Sequence, residues 1–215
     1  IEDSAETIGG TWMEKQAGSW GIGCFSFFPT KNITTGEGGM FCCKDDETFN
    51  EAKLLIAHGI ESQTIEREMM NSHPWERVAI KPGHNYRMSN LLAGLGYCQI
   101  QKLSEMNNAR RRLANYYNIN IAKLNLPLET PFETPNAFHV YQMYTILVNP
   151  IVRNKLIYYL RENGIGASVH FDPVVHQQKY YKERFPPKIK LSNAEYLGSA
   201  LITLPMYPQL EFKQV

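Results

Sequence analysis

The chain has 215 residues, 43% of them hydrophobic and 20% charged, with a formal net charge of +1. That is an ordinary globular composition, enough for one large domain or two small ones. It gives no electrostatic reason to expect nucleic acid or an anionic membrane as partner, and no apolar run reaches the ~20 residues of a membrane helix.

The opening "IEDSAETIGG" has neither the basic start nor the apolar stretch of a secretory signal. Cys24, Cys42, Cys43 and Cys98 form no C-x-x-C pair. Reduced thiols in a cytosolic protein are the expectation, rather than a disulfide framework or a zinc site. The chain starts without methionine and closes on "LEFKQV" without a helix stop. It therefore reads as a fragment lacking what precedes Ile1.

In chain order, Cys24 to Phe28 reads as a short buried strand, apolar and aromatic. Gly39 to Cys43 reads as another, with the "GEGG" tract turning between them. Helical spacing from Thr48 to Ile60 puts Phe49, Leu54 and Leu55 on one side and stops at Gly59. Residues 61 to 81 are polar and irregular, as a surface loop would be. From Met88, apolar residues at Leu91, Leu92, Leu95, Ile100, Leu103 and Met106 follow the period of an amphipathic helix or a pair of helices reaching Tyr117. Arg110, Arg111 and Arg112 read as a solvated helix face.

A composition shift follows at "LNLPLETPFETPN", and the boundary is expected near residue 120. Residues 1–119 form one domain with a linking helix; residues 120–215 form a smaller one. Val140 to Val148 reads as a strand. Asn149 then offers an N-cap, Pro150 sits at the first helical position and Gly164 lies past the end. Val169 to Phe171 is a short strand, Ser192 to Ser199 a helix and Leu201 to Leu204 a closing strand. Strand, helix, strand, helix, strand describes a small α/β domain.

Lys31 stands just after the aromatic strand. A partly desolvated lysine offers the neutral amine that attacks a carbonyl, as a Schiff-base lysine must. A surface lysine in a loop is the plain alternative. Asp3, at the end of what looks like another strand, adds the second requirement of pyridoxal phosphate chemistry. That chemistry needs a lysine for the imine and a carboxylate facing the pyridine nitrogen. A turn or N-cap aspartate is its alternative. Ser26 is placed to reach a phosphate or to be an ordinary strand serine. The "GEGG" tract is no phosphate loop, because it lacks the G-K-[ST] ending and no helix follows.

The stretches "IEDSAETIGGTW…GCFSFFPTKNITTGEGGM", "GHNYRMSNLLAGLGYCQIQKL", "HFDPVVHQQKYY" and "LITLPMYP" closely resemble the DegT/DnrJ/StrS family of pyridoxal phosphate-dependent sugar aminotransferases. The resemblance covers nearly the whole chain in order, and its F-S-F-x-x-[ST]-K…G-E-G-G string is long and specific. It implies a fold type I (aspartate aminotransferase-like) transferase: the C-terminal part of a large mixed-sheet domain plus a small α/β domain. Lys31 matches the imine lysine and Asp3 the carboxylate at the pyridine nitrogen. Glu6 stands where the family has Gln, His or Glu close to the ring, and Ser26 matches a phosphate ligand. Asn85 matches an asparagine reaching the cofactor phosphate of the partner subunit, with Arg87 beside it. A cytoplasmic homodimer with shared sites is implied. His170 and His176 fall in the segment that lines the sugar end, or serve as structural histidines.

The implied reaction moves an amino group from an amino acid, glutamate for preference, to a nucleotide-linked ketosugar in amino-sugar or surface-polysaccharide synthesis. The 215 residues alone are not expected to be competent. The family's phosphate-binding helix N-terminus and its ring-stacking aromatic belong upstream of Asp3. One rival is a non-catalytic remnant or regulatory relative. Another is the ketosugar dehydratase branch, in which histidine replaces the lysine; Lys31 argues against it.

Overall fold

The computed structural model describes residues 1–61, 69, 73, 75–184 and 190–215. These form two compact units, Ile1–Leu103 and Ser104–Val215. Composition puts the boundary near residue 120; by packing the chain divides earlier, because the helix crossing this region belongs to the core of the C-terminal strands.

The first unit opens with β1 (Glu2–Asp3), β2 (Thr11–Trp12), β3 (Lys15–Gln16), β4 (Gly23–Ser26) and β5 (Gly39–Cys42). β1 lies parallel to β4, pairing Glu2 with Gly23 and Asp3 with Cys24. β5 runs antiparallel to β4 on its other side, with Ser26 opposite Gly39. The two strands expected here are present, each trimmed at its C-terminal end. β2 and β3 form a hairpin whose turn residues, Met13 and Glu14, both have positive φ, 48° and 63°. That is the backbone a two-residue hairpin turn requires.

α1 (Asp46–Leu55) starts earlier and ends sooner than the Thr48–Ile60 reading. Asp45 is its cap, and Thr48 is the residue whose backbone N–H that cap satisfies, at 2.7 Å. Beyond it, His58 and Gly59 both have positive φ, which no helix can continue through. The loop expected over 61 to 81 falls mostly outside the described residues. α2 (Asn90–Ile100) begins at Ser89, whose Oγ accepts from the Leu92 N–H.

The second unit holds α3 (Leu103–Leu124), β6 (Leu128–Glu129), β7 (Ala137–Phe138), β8 (Tyr144–Val148), α4 (Pro150–Glu162), α5 (Lys179–Arg184), α6 (Ser192–Ala200) and β9 (Leu201–Leu204). The periodicity from Met88 onward is thus two helices rather than one. β6, β8 and β9 make an antiparallel sheet with β8 in the middle. Leu113, Ala114 and Tyr117 of α3 pack with Tyr144, Ile146, Val148 and Ile202 in one core. Alternate residues of β8 are buried, as a period of two demands. The strand starts at Tyr144 rather than Val140, because Tyr141 takes a positive φ of 43° and turns the chain. Val169 to Phe171 is not a strand; one bridge from Ser168 to Thr203 is all that forms.

The arginine run is not a solvated face. Arg110 is 6% exposed, and its Nη1 donates to the carbonyls of Tyr141, Gln142 and Met206 at 3.3, 3.3 and 3.0 Å. Arg111 pairs with Glu133 and lies over the Phe138 ring. Only Arg112 is exposed.

Candidate active site

After β4 the chain makes a tight turn. The Lys31 N–H donates to the Phe28 carbonyl at 3.0 Å, with Pro29 in the position its fixed φ suits. The Phe27 carbonyl then accepts from the Thr35 N–H at 3.0 Å and from Thr34 Oγ1 at 2.9 Å, folding 28–34 back over the strand end. Ile33, Asn32 and Thr35 are buried in the process. Gln99 of α2 clamps this loop from both sides of one residue. Its Oε1 accepts from the Thr34 N–H at 3.1 Å, and its Nε2 donates to the Thr34 carbonyl at 2.8 Å.

Two glycines permit the return. A Cβ on Gly39 would stand 2.7 Å from the Phe25 carbonyl oxygen. One on Gly38 (φ +146°) would stand 2.6 Å from Met88 Cε and 2.8 Å from Thr35 Oγ1. Neither position accepts a side chain without movement.

Lys31 emerges from this turn with its side chain 16% exposed, and Nζ lies 2.7 Å from Glu6 Oε1. Glu6 is delivered by the turn after β1. The Ser4 N–H donates to the Cys24 carbonyl at 2.9 Å, and the Thr7 N–H donates to the Ser4 carbonyl at 3.2 Å. Asp3 lies at the end of β1, beside Cys24, and its carboxylate accepts from the Ala5 N–H at 3.2 Å. Ser26, at the end of β4, accepts from the Phe28 N–H at 3.4 Å. The ends of two parallel neighbouring strands thus gather Asp3, Glu6, Ser26 and Lys31.

Asn85 and Arg87 belong to the same unit but to another segment. Backbone bonds from His84 to Leu55 and from Tyr86 to Ile56 tie that segment to the end of α1. Both side chains are exposed. Arg87 Nε donates to Asn85 Oδ1 at 3.4 Å, and its Nη2 lies 3.5 Å from His58 Nε2. A Cβ on Gly59 would collide with the Lys81 carbonyl, and one on Gly83 with the Gly59 nitrogen. The two glycines are what let these strands of chain lie together.

His170 and His176 sit in the second unit, each with a partner. His170 Nδ1 lies 2.9 Å from Thr203 Oγ1, and His176 Nε2 lies 3.2 Å from Glu195 Oε1.

Sequence reasoning missed Glu2. Its carboxylate accepts from the backbone N–H groups of Gly18, Trp20 and Gly21 at 2.8, 2.6 and 2.7 Å. Burial alone would raise its pKa; the three donors outweigh it, and the carboxyl is held below its ordinary value. The signal was an acidic residue at a strand start followed by a glycine-bearing turn, too common to single out. Gln99 left no signal at all. Among the described residues no cluster of His, Cys, Asp and Glu could hold a metal ion, and no helix is long and apolar enough to cross a membrane.

The family model and the solved structures place this mixed α/β frame, with its mostly covered lysine at a strand end, in the fold type I, pyridoxal phosphate-dependent class. TlmJ, an aminotransferase from Streptoalloteichus hindustanus, superposes with a TM-score of 0.87 over 99% of this chain and 54% of its own, at 23% identity. The chain belongs to the DegT/DnrJ/EryC1/StrS aminotransferase family, whose sequence model matches residues 1–215. PseC of Helicobacter pylori, an aminotransferase involved in pseudoaminic acid biosynthesis, is 26% identical. Its TM-score is 0.85, over 99% of this chain and 55% of that one. Spr1654 of Streptococcus pneumoniae, described as a sugar aminotransferase and solved in its PMP form, is 25% identical. Its TM-score is 0.87, over 99% and 55% of the two chains. The chain spans just over half the length of these solved relatives. Pyridoxal 5′-phosphate is the cofactor of the family; Spr1654 is known in PLP, PMP and apo forms.

Proposed function

We propose that the chain carries the lysine side of a sugar aminotransferase site, which moves an amino group from an amino acid, L-glutamate for preference, to a nucleotide-linked ketosugar. The observation that carries this is the Lys31 amine, 16% exposed and 2.7 Å from the Glu6 carboxylate, beside Asp3 and Ser26 at the strand ends.

The donor set fits pyridoxal phosphate. The cofactor supplies an electron sink for a carbon that has lost a proton. Lys31 would hold the cofactor through its amine, and that amine is the group placed to move a proton at the donor carbon as base and then acid. Asp3 would hold the ring nitrogen protonated by charge. Glu6 orients the Lys31 amine and would face the ring, and Ser26 would donate to the phosphate. Asn85 reaches the phosphate of a partner subunit with Arg87 beside it; their exposure in the single chain supports that role. His170 and His176 face the sugar. The site works in the cytoplasm, in a homodimer that makes amino sugars for surface polysaccharide or glycosylated products.

A non-catalytic relative of the same family is the rival. Transfer of ¹⁵N from labelled L-glutamate to a nucleotide ketosugar, read by mass spectrometry, separates the two. Label transfer that disappears in Lys31→Ala supports the aminotransferase. No transfer with cofactor supplied, or transfer that survives the substitution, overturns it.

A further inference from the structure

Arg153 is a buried charge that the proposed chemistry does not use. It sits on α4, whose outer side chains are exposed, yet it is itself 7% exposed. Its Nε donates to the Ser199 carbonyl at 3.0 Å and its Nη2 to the Gly198 carbonyl at 3.1 Å. Both carbonyls lie in the last turn of α6, where backbone acceptors lack helical partners and a cation is favoured. Nη2 also donates to Asp172 Oδ2 at 2.5 Å. One guanidinium therefore fastens α4, the C-terminal end of α6 and the segment from His170 to Gln178.

That segment has no regular structure between Ser168 and Val175, so side chains must fix it. Gln178 Nε2 donates to the Pro173 carbonyl at 2.8 Å. His176 pairs with Glu195 of α6, and His170 with Thr203 of β9. Val174 packs against Gly198, where a Cβ would stand 2.5 Å from Val174 Cγ1. Asp172 stands between the two histidines and is the only acidic residue from 163 to 182. Its partner is the one anchor of the segment that is both charged and buried. Lysine would not serve in its place, since three acceptors in different directions need the planar fork.

We infer that Arg153 and Asp172 are positioning residues for the acceptor. The pair holds the His170–Gln178 segment in register, and through it the two histidines that meet the sugar. This rests on the reading that those histidines face the acceptor, and the experiment keeps the two apart. Asp172→Asn removes the charge from a half-exposed side chain and leaves the volume unchanged; Arg153→Lys keeps the charge without the fork.

Backbone hydrogen exchange decides the positioning. In both variants the amides of 170–178 exchange at least about threefold faster, as loss of a charge-assisted, partly exposed bond implies. Those of α3 and β8 stay within about twofold. Unchanged exchange in 170–178, or acceleration spread evenly through the unit, overturns the inference, since a general packing role would produce the latter. Kinetics then test the consequence, with dTDP-4-keto-6-deoxyglucose and its UDP counterpart as acceptor probes. Asp172→Asn raises acceptor KM several-fold while the L-glutamate half-reaction stays within about twofold; an unchanged acceptor KM overturns the inference. His170→Ala and His176→Ala are the controls. If neither alters acceptor KM, or wild type turns over neither probe, the acceptor reading of the segment fails and exchange alone judges the positioning.

Discussion

The Lys31 ammonium and the Glu6 carboxylate stand 2.7 Å apart, joined across two turns that leave the ends of adjacent parallel strands. An amine held by one carboxylate at 16% exposure has a fixed position without a tight cage. Among the described residues, a carbonyl arriving at Nζ has only this one partner to displace. The loop behind it is stiff: the Phe27 carbonyl and Gln99 hold residues 34 and 35.

Lys31→Ala is expected to abolish amino transfer, with a loss of at least about a hundredfold to ten-thousandfold for removing a positioned proton carrier. The near-visible absorbance of the lysine-bound cofactor should vanish too. Glu6→Gln, which keeps a hydrogen bond and removes the charge, should be milder and leave that absorbance in place. Near-normal turnover with unchanged absorbance in Lys31→Ala would remove Lys31 from the mechanism.

Asp3→Asn is expected to bind cofactor and react slowly, because an amide cannot hold the ring nitrogen protonated by charge. A barrier raised by several kcal/mol, at ~1.4 kcal/mol per tenfold, is the expectation. The check is single-turnover absorbance with saturating L-glutamate. A rate within a few-fold of wild type shows that Asp3 is not the ring partner.

Glu2 gives a pH prediction about stability rather than catalysis. Burial pushes its carboxyl up, but the Gly21, Gly18 and Trp20 N–H groups bind the ionised form and bring its folded-state pKa below the ordinary 4.5. The folded chain therefore holds this proton more weakly than the unfolded chain. The stabilisation is fully present above the unfolded pKa and is lost as pH falls through the folded one. Glu2→Gln should unfold at a lower temperature than wild type near pH 7, and the gap should close as the pH falls below 4.5 and through the lowered folded-state pKa. A gap that persists unchanged at low pH would mean the charge contributes nothing.

The lysine strand, the glycine return and the α4 caps were legible because each depends on local chemistry: an apolar run, absent Cβ atoms, an Asn-Pro start. Arg110 was not. An arginine run looks the same whether water or carbonyls surround it. Only the fold brings the Tyr141, Gln142 and Met206 carbonyls to one guanidinium. Gln99 and Glu2 escaped for the same reason, since their partners lie far away in sequence and are backbone groups that carry no residue signature. The Val169–Phe171 strand failed differently. Its composition suits a strand, but only Ser168 finds a partner.

Arg110→Met tests the buried charge. Burial lowers the pKa of this arginine, yet removing it leaves three carbonyls short of a donor, at a cost of about 1–3 kcal/mol for each group left unsatisfied. Some of that returns from burying an apolar side chain, so a net loss of about 2–4 kcal/mol is expected, read by urea unfolding. A neutral or stabilised variant would mean that packing outweighs the three hydrogen bonds.

Asn85 carries the prediction about assembly. Its side chain is exposed and accepts one hydrogen bond among the described residues, from Arg87 Nε at 3.4 Å, while backbone bonds tie its segment to α1. A rigidly mounted, outward-facing amide is suited to another subunit's ligand. If it serves the partner's site, Lys31→Ala and Asn85→Ala lesions fall in the same site of a mixed dimer and leave the other site intact. Mixing the two inactive variants should then recover up to about a quarter of wild-type activity, because random assembly makes half of the dimers mixed and each has one good site of two. If Asn85 serves its own subunit, every site in the mixture keeps one lesion and activity stays near zero. The test requires Asn85→Ala alone to be clearly impaired, and native mass spectrometry to verify the mixed dimers. Verified mixed dimers without recovery would place Asn85 in its own subunit's site.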